Sequence, residues 1–229
     1  MEIGNKLLIL GVFAILASAS VHADTVYSSL NQAEGSIGAI NPGNAYGDEV
    51  SLNAPGAIIE GMTLSFDWVV DSNKGPSSFE VSFFHVSPGS DSMYQTRDDT
   101  IGGMIGTPFT ETDVTIAPDT PHTIDFGAIS YEVPQNFVWR VKNGDFIYAL
   151  NSTADTQMTG GTANPDIMWW DVWDGSEPTE GNTPYYGTEY GDLNPSMEFH
   201  GVATPEPGTT ALALLAAGAG VFAVWRRRK

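Results

Sequence analysis

Residues 62–70 read MTLSFDWVV, and the order of those nine letters decides the fold. Met62, Leu64, Phe66, Trp68 and Val70 alternate with Thr63, Ser65, Asp67 and Val69. An apolar period of two belongs to a strand with one buried face, because successive strand side chains point to opposite sides; a helix would need apolar residues three and four apart. The same pattern returns in SSFEVSFFHV at 77–86, where Phe79, Val81 and Phe83 share a face. Further runs of strand character are DVTIA at 113–117, HTIDFGAISYEV at 122–133, NFVWRVKN at 136–143, DFIYALN at 145–151 and DIMWWDVW at 166–173. Between them lie DSNKGPS at 71–77, SPGSDS at 87–92, APDTP at 117–121 and TGGTANP at 159–165, whose Gly, Pro, Asn and Asp supply turn geometry. No body segment keeps a 3.6-residue apolar period over three turns, and no repeat is visible. The expectation is an all-β chain, an antiparallel β-sandwich of jelly-roll type.

The two ends read differently. After Lys6 comes the apolar run Leu7–Ala17, and then SASVHADT, in which Val21 and Ala23 place small residues three and one before Asp24. This is the layout of a secretory signal peptide over 1–23, cut between Ala23 and Asp24 by a signal peptidase. At the other end Thr209–Trp225 is uncharged. As a helix its 17 residues reach about 25 Å, enough for a thin bilayer core. Arg226, Arg227, Arg228 and Lys229 follow at once and mark the cytoplasmic side of a single transmembrane helix.

Composition narrows the function classes. The chain carries 9 basic and 28 acidic residues, a formal charge of −19. Removing both ends takes Lys6 and the four terminal basic residues from the first number, and Glu2 and Glu206 from the second. The body keeps four basic and 26 acidic residues, about −22. Such a surface repels phosphate backbones, so nucleic acid is no partner. Cysteine is absent, which removes disulfides, thiolate metal sites and a Cys nucleophile together.

Before the apolar tail stands Thr204-Pro205-Glu206-Pro207-Gly208. Its prolines fix φ and lack N–H donors, so it continues neither helix nor sheet and stays accessible at the membrane. The Pro-Glu-Pro motif, the Ala/Leu/Gly-rich helix and the Arg cluster, in that order at the chain end, resemble the PEP-CTERM sorting signal of bacterial surface proteins. The resemblance implies recognition of Pro205, Glu206, Pro207, Arg226, Arg227 and Arg228 by an exosortase, removal of the tail, and transfer to the cell surface or extracellular matrix. It divides the chain into a signal peptide at 1–23, an ectodomain at 24–203 and a sorting signal at 204–229, with tethering in the inner membrane before processing. The body, with YGDEVSL, MTLSFDW, NFVWRV, FIYALN and IMWWDVW in that order, is similar to β-sandwich ectodomains common among PEP-CTERM proteins, which implies a fold and no defined activity.

One segment stands out chemically. Trp169, Trp170, Trp173, Tyr185 and Tyr186 are interleaved with Asp171, Asp174, Glu177 and Glu180. Flat aromatic faces beside carboxylates suit sugar rings, so Trp169, Trp170, Asp171, Trp173, Tyr185 and Tyr186 form a candidate glycan-binding set; the same rings also suit a sandwich core. Oxygen-rich loops at 71–75 and 171–180 have the ligand type for calcium but no EF-hand spacing. No cofactor is expected beyond that. His85, His122 and His200 are scattered, no HExxH or G-x-S-x-G occurs, and Asn151-Ser152-Thr153 reads as plain loop. The expectation is a non-enzymatic structural or adhesive protein linked to exopolysaccharide and biofilm. The alternative is a carbohydrate-binding module or carbohydrate-active enzyme.

Overall fold

A computed structural model describes residues 24–30, 35–36, 43–71, 77–96, 98–114, 122–127, 129–143, 146–153, 157–164, 169–171 and 194–205. Among them the regular structure is β1 (Asp24–Ser28), β2 (Gly35–Ser36), β3 (Ala45–Asp71), β4 (Ser77–Ser87), β5 (Thr100–Met104), β6 (Phe109–Val114), β7 (His122–Phe126), β8 (Tyr131–Asn143), β9 (Phe146–Thr153), β10 (Gln157–Met158), β11 (Gly161–Ala163), β12 (Trp169–Asp171), β13 (Asn194–Pro195) and β14 (Met197–Ala203). Every pairing described is antiparallel, with the main order β1-β14-β3-β8-β4-β5. The all-β expectation therefore holds. The signal peptide and the expected helix at 209–225 lie outside the described residues.

β3 organises the sheet. The sequence suggests two strands, YGDEVSL and MTLSFDW, parted by Asn53-Ala54-Pro55-Gly56. The structure makes them one strand of 27 residues and absorbs the interruption as a register shift between Ser51 and Gly56 opposite β8. Pro55 cannot donate to a ladder, so it belongs in such a bulge. Along one flank β3 meets β12, β11, β14 and β9 in turn; along the other it meets β8 and then β7. One strand thus positions six others.

The alternation read at 62–70 does its expected work where side chains are described. Met62, Leu64 and Phe66 are fully buried, as are Phe79, Val81 and Phe83 on β4. Phe199 of β14 lies at 5.7 Å from Phe83, 5.6 Å from Phe137 and 6.4 Å from Trp139 between ring centroids, although β14 pairs with neither β4 nor β8. These ring contacts cross from one part of the sheet to another and close the core. Burial of each such ring contributes about 1.5–3 kcal/mol.

Two sequence expectations change. β4 is buried on both faces along much of its length, since Phe84, Val86, Ile101 and Val138 form a second, smaller apolar cluster behind the first. Loop readings at 151–153 and 159–165 give way to strand: Asn151–Thr153 closes β9 and Gly161–Ala163 is β11. Short strands with small residues take their structure from partners, and here β2 and β13 supply them for β9 and β3 for β11.

Candidate functional site: the strand that carries the carboxy-terminal tail

β14 alternates Met197 and Phe199 into the core with Glu198 and His200 outward. It lies between two neighbours: Phe199 stands opposite Tyr27 of β1 on one edge and Met62 of β3 on the other. A bulge between His200 and Gly201 shifts the register along β3. Glycine is required there, because a Cβ at Gly201 would come within 1.9 Å of the Ile58 carbonyl oxygen. Beyond Gly201, which still faces Asp24 of β1, the strand is held by β3 among the described residues. Val202 and Ala203 stand opposite Ile58 and Ala57, and Thr204 N–H donates to the Gly56 carbonyl at 2.9 Å. Pro205, the next residue, is exposed. The first residue of the Pro-Glu-Pro motif therefore emerges directly from the sheet; Glu206, Pro207 and Arg226–Arg228 lie outside the described residues.

On the outer face a polar row crosses four strands. Thr25 Oγ1 donates to Glu198 Oε1 at 2.7 Å, and Glu198 Oε1 lies 3.2 Å from His200 Nδ1. His200 Nε2 is 3.0 Å from Thr63 Oγ1, which donates to Asp125 Oδ1 at 2.6 Å. Hydroxyl, imidazole and carboxylate in this order resemble the arrangement of nucleophilic hydrolases. Here the hydroxyl hydrogen goes to Asp125 and Thr63 is 6% exposed. The row ties β1, β14, β3 and β7 together. Sequence reading scattered the histidines because Thr63 and His200 are 137 residues apart; strand register alone makes them neighbours.

Two further polar features escaped the sequence. Gln95, at φ 62°, pins the β4–β5 connection to the sheet: its backbone N–H donates to Glu49 Oε1 at 3.0 Å, its side-chain amide donates to the Thr162 carbonyl at 2.7 Å, and its carbonyl accepts from Asn164 Nδ2 at 2.9 Å. In the same loop the Ser90 and Thr96 hydroxyls hold the Asp98 carboxyl below the usual carboxylate range. On β3 Asp48 is wholly buried, and its carboxyl is pushed well above that range, chiefly by desolvation. Burial, with Asp48 nearby, also raises the Tyr27 phenol.

The aromatic set is only partly placed. Trp169, Trp170 and Asp171 form β12, opposite Gly47, Tyr46 and Ala45. Trp173, Tyr185 and Tyr186 lie outside the described residues, as do the candidate calcium loops apart from the backbones of Asp71 and Asp171. Among the described residues no group of three or more His, Asp or Glu is placed to hold a metal ion. His85 is exposed on β4.

Residues 203–229 match the PEP-CTERM protein-sorting motif, so the matched segment begins at the last residue of β14. That motif implies an exosortase-sorted extracellular protein, exported through the membrane to the cell surface. No curated protein matches the chain.

Proposed function

We propose that this is a structural or adhesive component of a bacterial surface or extracellular matrix, working among exopolysaccharide in a biofilm. In this reading a signal peptide at 1–23 exports the body, residues 204–229 hold it in the inner membrane, and an exosortase removes the tail. The observation that carries the reading is the sorting motif beginning where the last strand ends. An acidic body of about −22 supports a hydrated, extracellular setting. The body is read as a jelly-roll-like sandwich, supported by the ring contacts of Phe199 with Phe83, Phe137 and Trp139. The role is read as non-enzymatic, supported by the burial of Thr63, the hydroxyl of the polar row, at 6% exposure. The alternative is a carbohydrate-binding module or carbohydrate-active enzyme, supported by Trp169, Trp170 and Asp171 standing together on one strand.

Intact-mass analysis of the protein taken from its host surface tests the sorting step. The expected chain starts at Asp24 and ends before the apolar run at 209–225. A surface-exposed chain that retains Arg226–Lys229 refutes it.

A further inference from the structure

The two ends of the body meet on one strand pair. β1 begins at Asp24, which stands opposite Gly201, two residues before β14 ends. Apart from a bridge between Ser28 and Thr159, β1 pairs with β14 among the described residues. The contact is made at three levels. In the core the Tyr27 ring lies 6.0 Å from Phe199. Outside, Thr25 donates to Glu198. At the far end Ser29 N–H donates to the Met197 carbonyl at 2.8 Å, Met197 N–H donates to Ser29 Oγ at 2.9 Å, and Ser29 Oγ donates to the Pro195 carbonyl at 2.8 Å. Every one of these ties uses residues 25–29, the stretch just after the expected cut at Ala23–Asp24.

A peptidase cuts a bond only when several residues around it are free of the sheet. Residues 24–29 cannot lie extended in a peptidase cleft and bond to β14 at the same time. Resting on the sorted-protein reading above, we propose that β1 is a strap that closes over β14 once the signal peptide has been removed. Closing it locks into the sheet the strand from which the sorting tail departs. β1 is made first and waits for β14, which is made last. Before closure β14 has β3 on one edge and an open row of donors and acceptors on the other. After closure residues 198–201 are held on both edges, while among the described residues Val202–Thr204 are held by β3 alone. The end nearest Pro205 can then fray towards the processing enzyme without loosening the rest.

The absence of cysteine makes the test clean. Met197 is 1% exposed and bonded to Ser29, so a full-length Met197→Cys chain carries one thiol beneath the strap. Maleimide labelling is followed in spheroplasts of the host, where membrane-held and released chains both meet the reagent. Alone, Met197→Cys should label slowly. Adding Ala23→Phe puts a bulky side chain where a signal peptidase needs a small one; labelling should quicken at least about tenfold. Adding Tyr27→Ala, which is still cut at Ala23, should do the same. An uncut Ala23→Phe chain that labels as slowly as its parent overturns the strap, and so does a Tyr27→Ala chain with unchanged labelling. The mass of each labelled chain shows which ends remain. Retention of Arg226–Lys229 in the parent therefore refutes the sorting reading separately, while the labelling rates still decide for or against the strap.

Discussion

Phe199 is the side chain on which the tail-bearing strand depends. It is fully buried and meets four rings, those of Tyr27, Phe83, Phe137 and Trp139. Phe199→Ala removes those contacts and leaves a void that four large neighbours on three other strands cannot fill by local collapse. The expected cost is about 3–5 kcal/mol, a large share of the ~5–15 kcal/mol that a domain usually has. For a body of this size each kcal/mol lowers Tm by roughly 2–4 °C, so the melt should fall by about 6–20 °C. Thermal unfolding followed by near-ultraviolet circular dichroism on the processed protein reads it. Met93→Ala, at a side chain 58% exposed, is the control and should stay within about 0.5 kcal/mol of the parent. If Phe199→Ala melts within the same margin, β14 does not pack across the core and the account of the anchor strand fails.

Asp48→Asn should stabilise the protein at neutral pH and not in acid. Burial raises the Asp48 carboxyl, so above the unfolded value near ~3.9 the native state keeps a proton that the unfolded state has lost. Stability then falls with rising pH by up to about 1.4 kcal/mol per unit until the folded carboxyl ionises; Asn removes that slope. Denaturant titrations at about pH 4 and pH 8 should give equal stabilities at the first and a more stable variant at the second, and parallel curves contradict the assignment. Gly201→Ala must push β14 off the Ile58 carbonyl and should cost about 1–3 kcal/mol or more, whereas Gly103→Ala, with nothing within 4 Å of its Cβ, should be neutral in the same melts. Trp169→Ala and Trp170→Ala should part company, since adjacent strand residues face opposite sides. One should lose about 3–5 kcal/mol, and the other should keep its stability but lose retention on host exopolysaccharide; wild-type behaviour of both in melt and pull-down removes β12 from any glycan site.

Local order was enough to determine several things about this protein. Strand character at 62–66 and 77–86 follows from an apolar period of two, which needs no partner to be recognised. The tail is equally legible, because Pro205-Glu206-Pro207, an uncharged run and Arg226–Arg228 follow one another in linear order, and residues 203–229 match the PEP-CTERM protein-sorting motif. Other features belong to the tertiary structure alone. YGDEVSL and MTLSFDW read as separate runs, yet β8 resumes pairing on the far side of the bulge at 51–56 and makes them one strand. Thr25, Thr63, Asp125 and the Glu198/His200 pair carry no spacing signal to one another, since they come to the row through the register of four different strands. The meeting of Asp24 with Gly201 is of the same kind. A period is written into neighbouring residues, whereas a register is a choice among many possible pairings and is settled only when the buried faces of all strands are satisfied together.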